Sequence, residues 1–134
     1  SQLKKIDKIK ARRREIVNYY NEQFSDIEEL ILPYENENTD SNFHLYILQV
    51  KDNSRFDRYD LFTYLQGKNY RPMVHYIPVH LLGYYRKRYG YKRGDFPVSE
   101  NFYDRTISIP LYPSLTDAEV EKVVTDITKF VKSK

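Results

Sequence analysis

One register of apolar residues governs the C-terminal end of the chain. Val120, Val123, Val124, Ile127, Phe130 and Val131 recur at three- and four-residue steps, which puts them on one face of a helix. The start of that helix is written into the residues before it, because Thr116-Asp117-Ala118-Glu119 carries the hydroxyl and the acid of a capping box. A stripe this apolar has to be covered by other elements, so it demands a layered fold.

Two other segments supply the cover. Residues Gln2 to Phe24 predict a long amphipathic helix, with Leu3, Ile6, Ile9, Ile16, Val17, Tyr20 and Phe24 on the apolar side. Lys4, Lys5, Lys8, Lys10, Arg12, Arg13 and Arg14 give it a basic face, and Ser1 is placed to cap it. Phe43 to Val50 is rich in aromatic and branched residues and apolar on both faces, which predicts a central strand. Ser54 and Asp57 read as the start of a short helix carrying Phe56, Tyr59, Phe62 and Leu65 and ending near Gly67. Met73 to Ile77 predicts a second strand stopped by Pro78, and His80 to Tyr91 reads as irregular or briefly helical. Pro97 opens a helix through Arg105. Ile107-Ser108-Ile109 predicts a last strand closed by Pro110.

That order implies one α+β domain, with a small antiparallel or mixed sheet and helices mostly on one face. A chain of 134 residues is the size of one such unit. Nowhere does it approach the roughly 20 consecutive apolar residues that a membrane-spanning helix needs, and no secretory leader is visible at its start. Without cysteine it has no disulfide framework, no cysteine zinc site and no thiol nucleophile, a composition that suits the cytoplasm. A net charge of +3 is far from the basic footprint of a nucleic-acid-binding domain, so neither nucleic acid nor membrane is an expected partner.

The chemistry-bearing residues are few. Of the three histidines, His75 and His80 are separated by Pro78, so they cannot share a helix face as paired zinc ligands do, and no metal site is expected. The run His75-Tyr76-Ile77-Pro78-Val79-His80 sets two imidazoles and a phenol at a strand end and loop, a place that suits a polar ligand. The alternative for His75 is a hydrogen-bonded core position. No glycine pattern for nucleotide phosphates and no nucleophile elbow is present. Among 14 tyrosines, those of Tyr84-Tyr85-Arg86-Lys87-Arg88-Tyr89-Gly90-Tyr91-Lys92-Arg93 are interleaved with basic residues. Such a run either stacks bases and contacts phosphates or anchors a solvated loop to the body.

The residues also carry a resemblance. Val74-His75-Tyr76-Ile77-Pro78-Val79-His80-Leu81, Tyr84-Tyr85, Gly94-Asp95-Phe96-Pro97-Val98-Ser99-Glu100 and Ile107 through Asp117 resemble, in order, the C-terminal signature of the DegT-type sugar aminotransferases. Gln2 to Asp7 with Ala11 to Arg14 resembles the helix that leads from the large to the small domain in that family, and Ser41 to Tyr46 its first small-domain strand. The resemblance implies that residues 1–134 are the C-terminal small domain of a type I pyridoxal-phosphate aminotransferase, without its large cofactor-binding domain. The parent enzyme is then a homodimer that moves an amino group, usually from glutamate, onto a nucleotide-linked keto sugar. The Schiff-base lysine of the family lies upstream, so no catalytic or cofactor-binding residue is expected here, and the fragment alone is expected to be inactive. By the same resemblance, substrate contacts are expected at His75, Tyr76, His80 and His44, with His80 reaching the sugar nucleotide or its phosphates. The tyrosine-rich run and Gly94-Asp95-Phe96-Pro97 most resemble members that aminate C4 of a UDP-linked 4-keto-6-deoxy sugar for pseudaminic-acid-type or spore-coat polysaccharides. Two other readings stay open: a stand-alone module binding sugar nucleotides or RNA through the tyrosine and basic run, and an interaction domain that docks on a large-domain partner.

Overall fold

Branched and aromatic residues meet in the middle of the molecule as a three-stranded antiparallel sheet. In this computed structural model, which describes residues 2–134, the strands β1 (Leu30–Ile31), β2 (Tyr46–Val50) and β3 (Thr106–Ile109) lie in the order β1-β2-β3. Leu30 pairs with Val50, Tyr46 with Ile109 and Leu48 with Ile107. Since side chains alternate along a strand, Tyr46, Leu48, Val50, Ile107 and Ile109 share one face. Ile47, Gln49, Thr106 and Ser108 share the other.

The first face is roofed by α1 (Ile6–Phe24), α2 (Arg58–Gly67) and α5 (Asp117–Lys132). Helix α1 contributes Ile16, Val17, Tyr20 and Phe24, α2 Leu61 and Leu65, and α5 the predicted stripe from Val120 to Val131. Tyr20 stands edge-on to Tyr46 at 5.0 Å, and Phe130 of α5 meets Phe56 at 4.9 Å. Each such side chain contributes about 1.5–3 kcal/mol by leaving water. The two buried phenols keep their hydroxyls satisfied: Tyr20 donates to the Pro110 carbonyl at 3.0 Å and Tyr46 to Asn21 at 2.7 Å. The stripe of α1 is covered only from Ile16 onward, and Ile6 is 42% exposed.

Helix α5 starts as its sequence predicts: Thr116 Oγ1 accepts from the Glu119 amide, and Glu119 accepts from the Thr116 amide at 2.8 Å. Inside it, Asp126 is a buried carboxylate that accepts from Tyr70 Oη at 2.9 Å and Lys122 Nζ at 3.0 Å. Burial pushes the Asp126 carboxyl upward, but the bonds from Lys122 and Tyr70 win and hold it below the usual carboxylate value.

Four details depart from the sequence expectations. The capping box of α2 is formed by Asp57 and Asp60, three residues after the predicted pair, because the chain between Lys51 and Ser54 is used up in a turn. The central strand begins at Tyr46, not Phe43, since Phe43 sits at φ 40°, packed under the Arg14 guanidinium at 4.7 Å. Of the strand predicted over Met73–Ile77, only Met73 pairs, with Ser108. Beyond it the His75 ring takes Ser108 as a side-chain partner, and Pro78 has no N–H for a ladder. The two-residue β1 was not anticipated. The proposed Ser1 cap and the side chain of Leu3 lie outside the described residues. Among the described residues no helix is long and apolar enough to cross a membrane.

Candidate functional site

The segment from Met73 to Arg105 leaves the sheet, crosses the surface and returns as β3. It contains a one-turn 3-10 helix at Val79–Leu81, α3 (Gly83–Tyr89) and α4 (Pro97–Arg105). Pro78 sets up the 3-10 turn with extended backbone, and its carbonyl accepts from the Leu81 amide at 2.8 Å. That turn rotates His80 inward, where it is 7% exposed, while Val79 remains at the surface. The tyrosine and basic run, expected to be irregular or briefly helical, forms α3 and closes on Gly90 at φ 74°, the left-handed cap that glycine takes without strain.

Helix α4 begins at Pro97, and its fourth residue, Glu100, reaches back over its own start. The carboxylate accepts from the Gly94 amide at 2.8 Å and the Phe96 amide at 3.2 Å, and meets His80 Nε2 at 2.8 Å. Gly94 stands at φ 100°, a backbone setting that brings its N–H onto the carboxylate and that a side chain would strain. Burial drives the Glu100 carboxyl upward, yet Gly94, His80 and Phe96 together hold it below its usual value. Arg93 lies 4.0 Å from the second oxygen and is itself clasped by Asp104 in three bonds of 3.0, 2.6 and 2.8 Å.

Next to this pair is an open groove of about 520 Å³ lined by Val79, His80, Tyr85, Tyr89, Tyr91, Phe96 and Ser99. Its rings touch in series: Tyr85 to Tyr89 at 6.2 Å, Tyr89 to Tyr91 at 5.7 Å, Tyr91 to Phe96 at 5.5 Å and Phe96 to His80 at 4.6 Å. On the same segment Tyr76, Ile77, Leu82, Tyr84, Val98 and Phe102 are exposed, alongside the charged Arg86, Lys87, Arg88 and Lys92. A smaller cavity of about 250 Å³ between α1 and α5 is a poorer ligand site. Its Arg12 already bonds Asp117 at 2.6 Å and the Leu115 carbonyl at 2.7 Å.

The sequence-predicted residues are therefore divided. His80 lines the groove. His75, half-buried, hydrogen-bonds Ser108 on the second face of the sheet at 2.9 Å and meets the Tyr76 ring edge-on at 4.6 Å. Tyr76 is 75% exposed, and His44 is exposed on the bend before β2. Among the described residues His75 and His80 share no hydrogen-bond partner. Glu100 was not singled out from sequence. Its signal was an acid in the first turn of a helix opened by proline, where orphan amides wait for an acceptor. Among the described residues no group of three or more His, Asp or Glu could hold a metal ion.

Comparison with known proteins sets this geometry in context. The DegT/DnrJ/EryC1/StrS aminotransferase family matches residues 1–128. The Bacillus subtilis spore coat polysaccharide biosynthesis protein SpsC is 41% identical over 133 residues, which are 98% of this chain and 34% of that protein. A dTDP-3-amino-3,6-dideoxy-alpha-D-galactopyranose transaminase of Aneurinibacillus thermoaerophilus is 29% identical over 93% of this chain and 32% of its own length. In fold, the chain superposes over its whole length on 36% of PseC from Helicobacter pylori, an aminotransferase of pseudaminic acid biosynthesis, with a TM-score of 0.90 at 22% identity. The chain thus spans about a third of the length of the relatives it matches.

Proposed function

This chain belongs to the DegT/DnrJ/EryC1/StrS aminotransferase family, and from that premise we propose that it is the C-terminal small domain of a pyridoxal-phosphate enzyme that aminates a nucleotide-linked keto sugar. The observation that carries the reading is the match over residues 1–128 at about a third of the relatives' length, together with an aromatic groove at His80 on the same segment. Likeness to SpsC favours a product used in surface or spore-coat polysaccharide. A UDP-linked 4-keto-6-deoxy sugar is the substrate that the tyrosine-rich segment resembles most. Glutamate as amino donor, a homodimeric parent, a cytoplasmic site of action and contacts from His75, Tyr76 and His44 belong to the same proposal.

Members of this family use pyridoxal phosphate. That cofactor needs a lysine for its aldehyde and an acidic or arginine partner for its ring nitrogen. The groove at His80 contains neither lysine nor carboxylate among its lining residues. Lys5, Lys8 and Lys51, which border other surface hollows, are all exposed. These residues do not fit the cofactor, so the part assigned to this chain is to bind and orient the sugar nucleotide.

The groove suits that part. Its phenol rings offer flat apolar surface to a sugar or base. The test is turnover of a UDP-4-keto-6-deoxy sugar with glutamate and pyridoxal phosphate, comparing this chain with one extended upstream to the length of its relatives. The expected result is cofactor binding and turnover by the extended chain and neither by this one. Turnover by this chain alone, or absence of cofactor from both, would refute the proposal.

A further inference from the structure

Glu100 is the most completely partnered carboxylate of the outer segment, and a purely structural role for it does not require a histidine. The Gly94 and Phe96 amides already donate to its carboxylate and tie it to the loop before α4. Yet His80 is buried against the same carboxylate, at 7% exposure beside 5% for Glu100. An ionised carboxylate has no proton to give, so a bond of 2.8 Å to His80 requires the N–H to be on Nε2. In the neutral ring the other nitrogen, Nδ1, is then an acceptor. Nδ1 has no hydrogen-bond partner among the described residues and is not sealed from solvent. The ring's orientation is fixed further by Phe96 at 4.6 Å and Tyr91 at 6.4 Å.

From this geometry we infer that Glu100 is a positioning residue: it locks His80 in the Nε2–H tautomer, so that Nδ1 faces the aromatic groove as an acceptor for a hydroxyl of the sugar nucleotide. The inference rests on the substrate-site reading of the groove given above. On the neutral ring a sugar hydroxyl donates to the bare Nδ1, whereas an ionised phosphate oxygen has no proton to offer it, so of the two contacts the sequence left open the inference selects the sugar. The other groups facing the pair are Arg93, held by Asp104, and the phenols of Tyr85, Tyr89 and Tyr91.

Long-range proton–nitrogen spectra of the neutral His80 ring in this chain read the tautomer directly. The expected result is a protonated Nε2 and a bare Nδ1 in the wild type, with a mixture of tautomers in Glu100→Ala and unchanged core methyl shifts. A protonated Nδ1 in the wild type overturns the inference, as does an unchanged tautomer in the variant. The wild-type spectrum decides the matter by itself if the variant does not fold. In the extended, cofactor-loaded chain, Glu100→Ala raises KM for the nucleotide sugar about tenfold, the loss of roughly one good hydrogen bond, and leaves KM for glutamate in place. Equal rises in both constants contradict a positioning role. An extended wild-type chain without turnover counts against the proposed function, and the tautomer spectrum distinguishes that failure from this one.

Discussion

Asp126 and Glu100 are both buried carboxylates held below their usual pKa by protein donors, yet their surroundings differ. Asp126 sits where α5 meets the segment after α2, and its partners are Lys122, Tyr70 and, at 3.8 Å, Lys68. Tyr70 and Lys68 tie the segment after α2 to α5, Lys122 braces the carboxylate from within α5, and the core beneath is closed. Glu100 sits on the outer segment, and its partners are two backbone amides and an imidazole beside an open groove. The same chemistry closes a fold in one place and poises a ring at a surface in the other. What separates them is the partner: an amine that only pairs, or a ring with a second nitrogen left over.

The sharpest way to break this contrast is to remove core volume. Ile127→Ala should cost about 3 kcal/mol, as large-to-small changes at closed sites do, because Ile127 is fully buried. Denaturant titration measures it, and a loss near zero would mean that the α5 side is not the closed half. Next comes Asp126→Ala, which removes two charge-assisted bonds and should cost about 1.5 kcal/mol. Thr116→Ala, read in the same titration, should cost about 1 kcal/mol by uncapping α5.

Acid tests the carboxylates together. Both have folded pKa values below the ordinary 3.8 of Asp and 4.5 of Glu, so the unfolded chain binds protons first as pH falls. The stability they contribute is therefore complete above about pH 4.5 and is lost as pH drops through the folded values. Asp126→Asn should flatten that loss in urea midpoints taken from neutral to acid pH, and an unchanged slope would count against its pairing. The smallest effect belongs to Val98→Ser. At 84% exposure this change should move stability by no more than about 0.5 kcal/mol. In the extended chain the same change should weaken nucleotide-sugar binding if the surface of this segment meets other parts of the enzyme or its substrate.

The two regions also differed in how much the sequence revealed. The capping box and stripe of α5, the covered half of α1 and the proline start of α4 are local patterns, and each folded as read. The family resemblance in His75 to His80 and Gly94 to Glu100 pointed to the segment that holds the aromatic groove. The pairing inside that segment was not legible. His80 and Glu100 are 20 residues apart and meet only because a 3-10 turn rotates the histidine inward and Gly94 takes a left-handed backbone. No periodicity records either event. Likewise, Met73 to Ile77 has the composition of a strand, but pairing depends on what the neighbouring strand offers, and only Met73 finds a ladder partner. The two residues of β1 are too short a run to carry any pattern.

The most direct test of the division into a closed core and a ligand-facing segment is hydrogen exchange on the extended, cofactor-loaded chain, with and without a UDP-4-keto-6-deoxy sugar. The account predicts that added protection within the present residues falls on the stretch from Tyr76 to Phe102, while α1, α5 and β2 exchange as before. Protection gained at the cavity between α1 and α5 lined by Arg12 and Asp117, with none near His80, would contradict it.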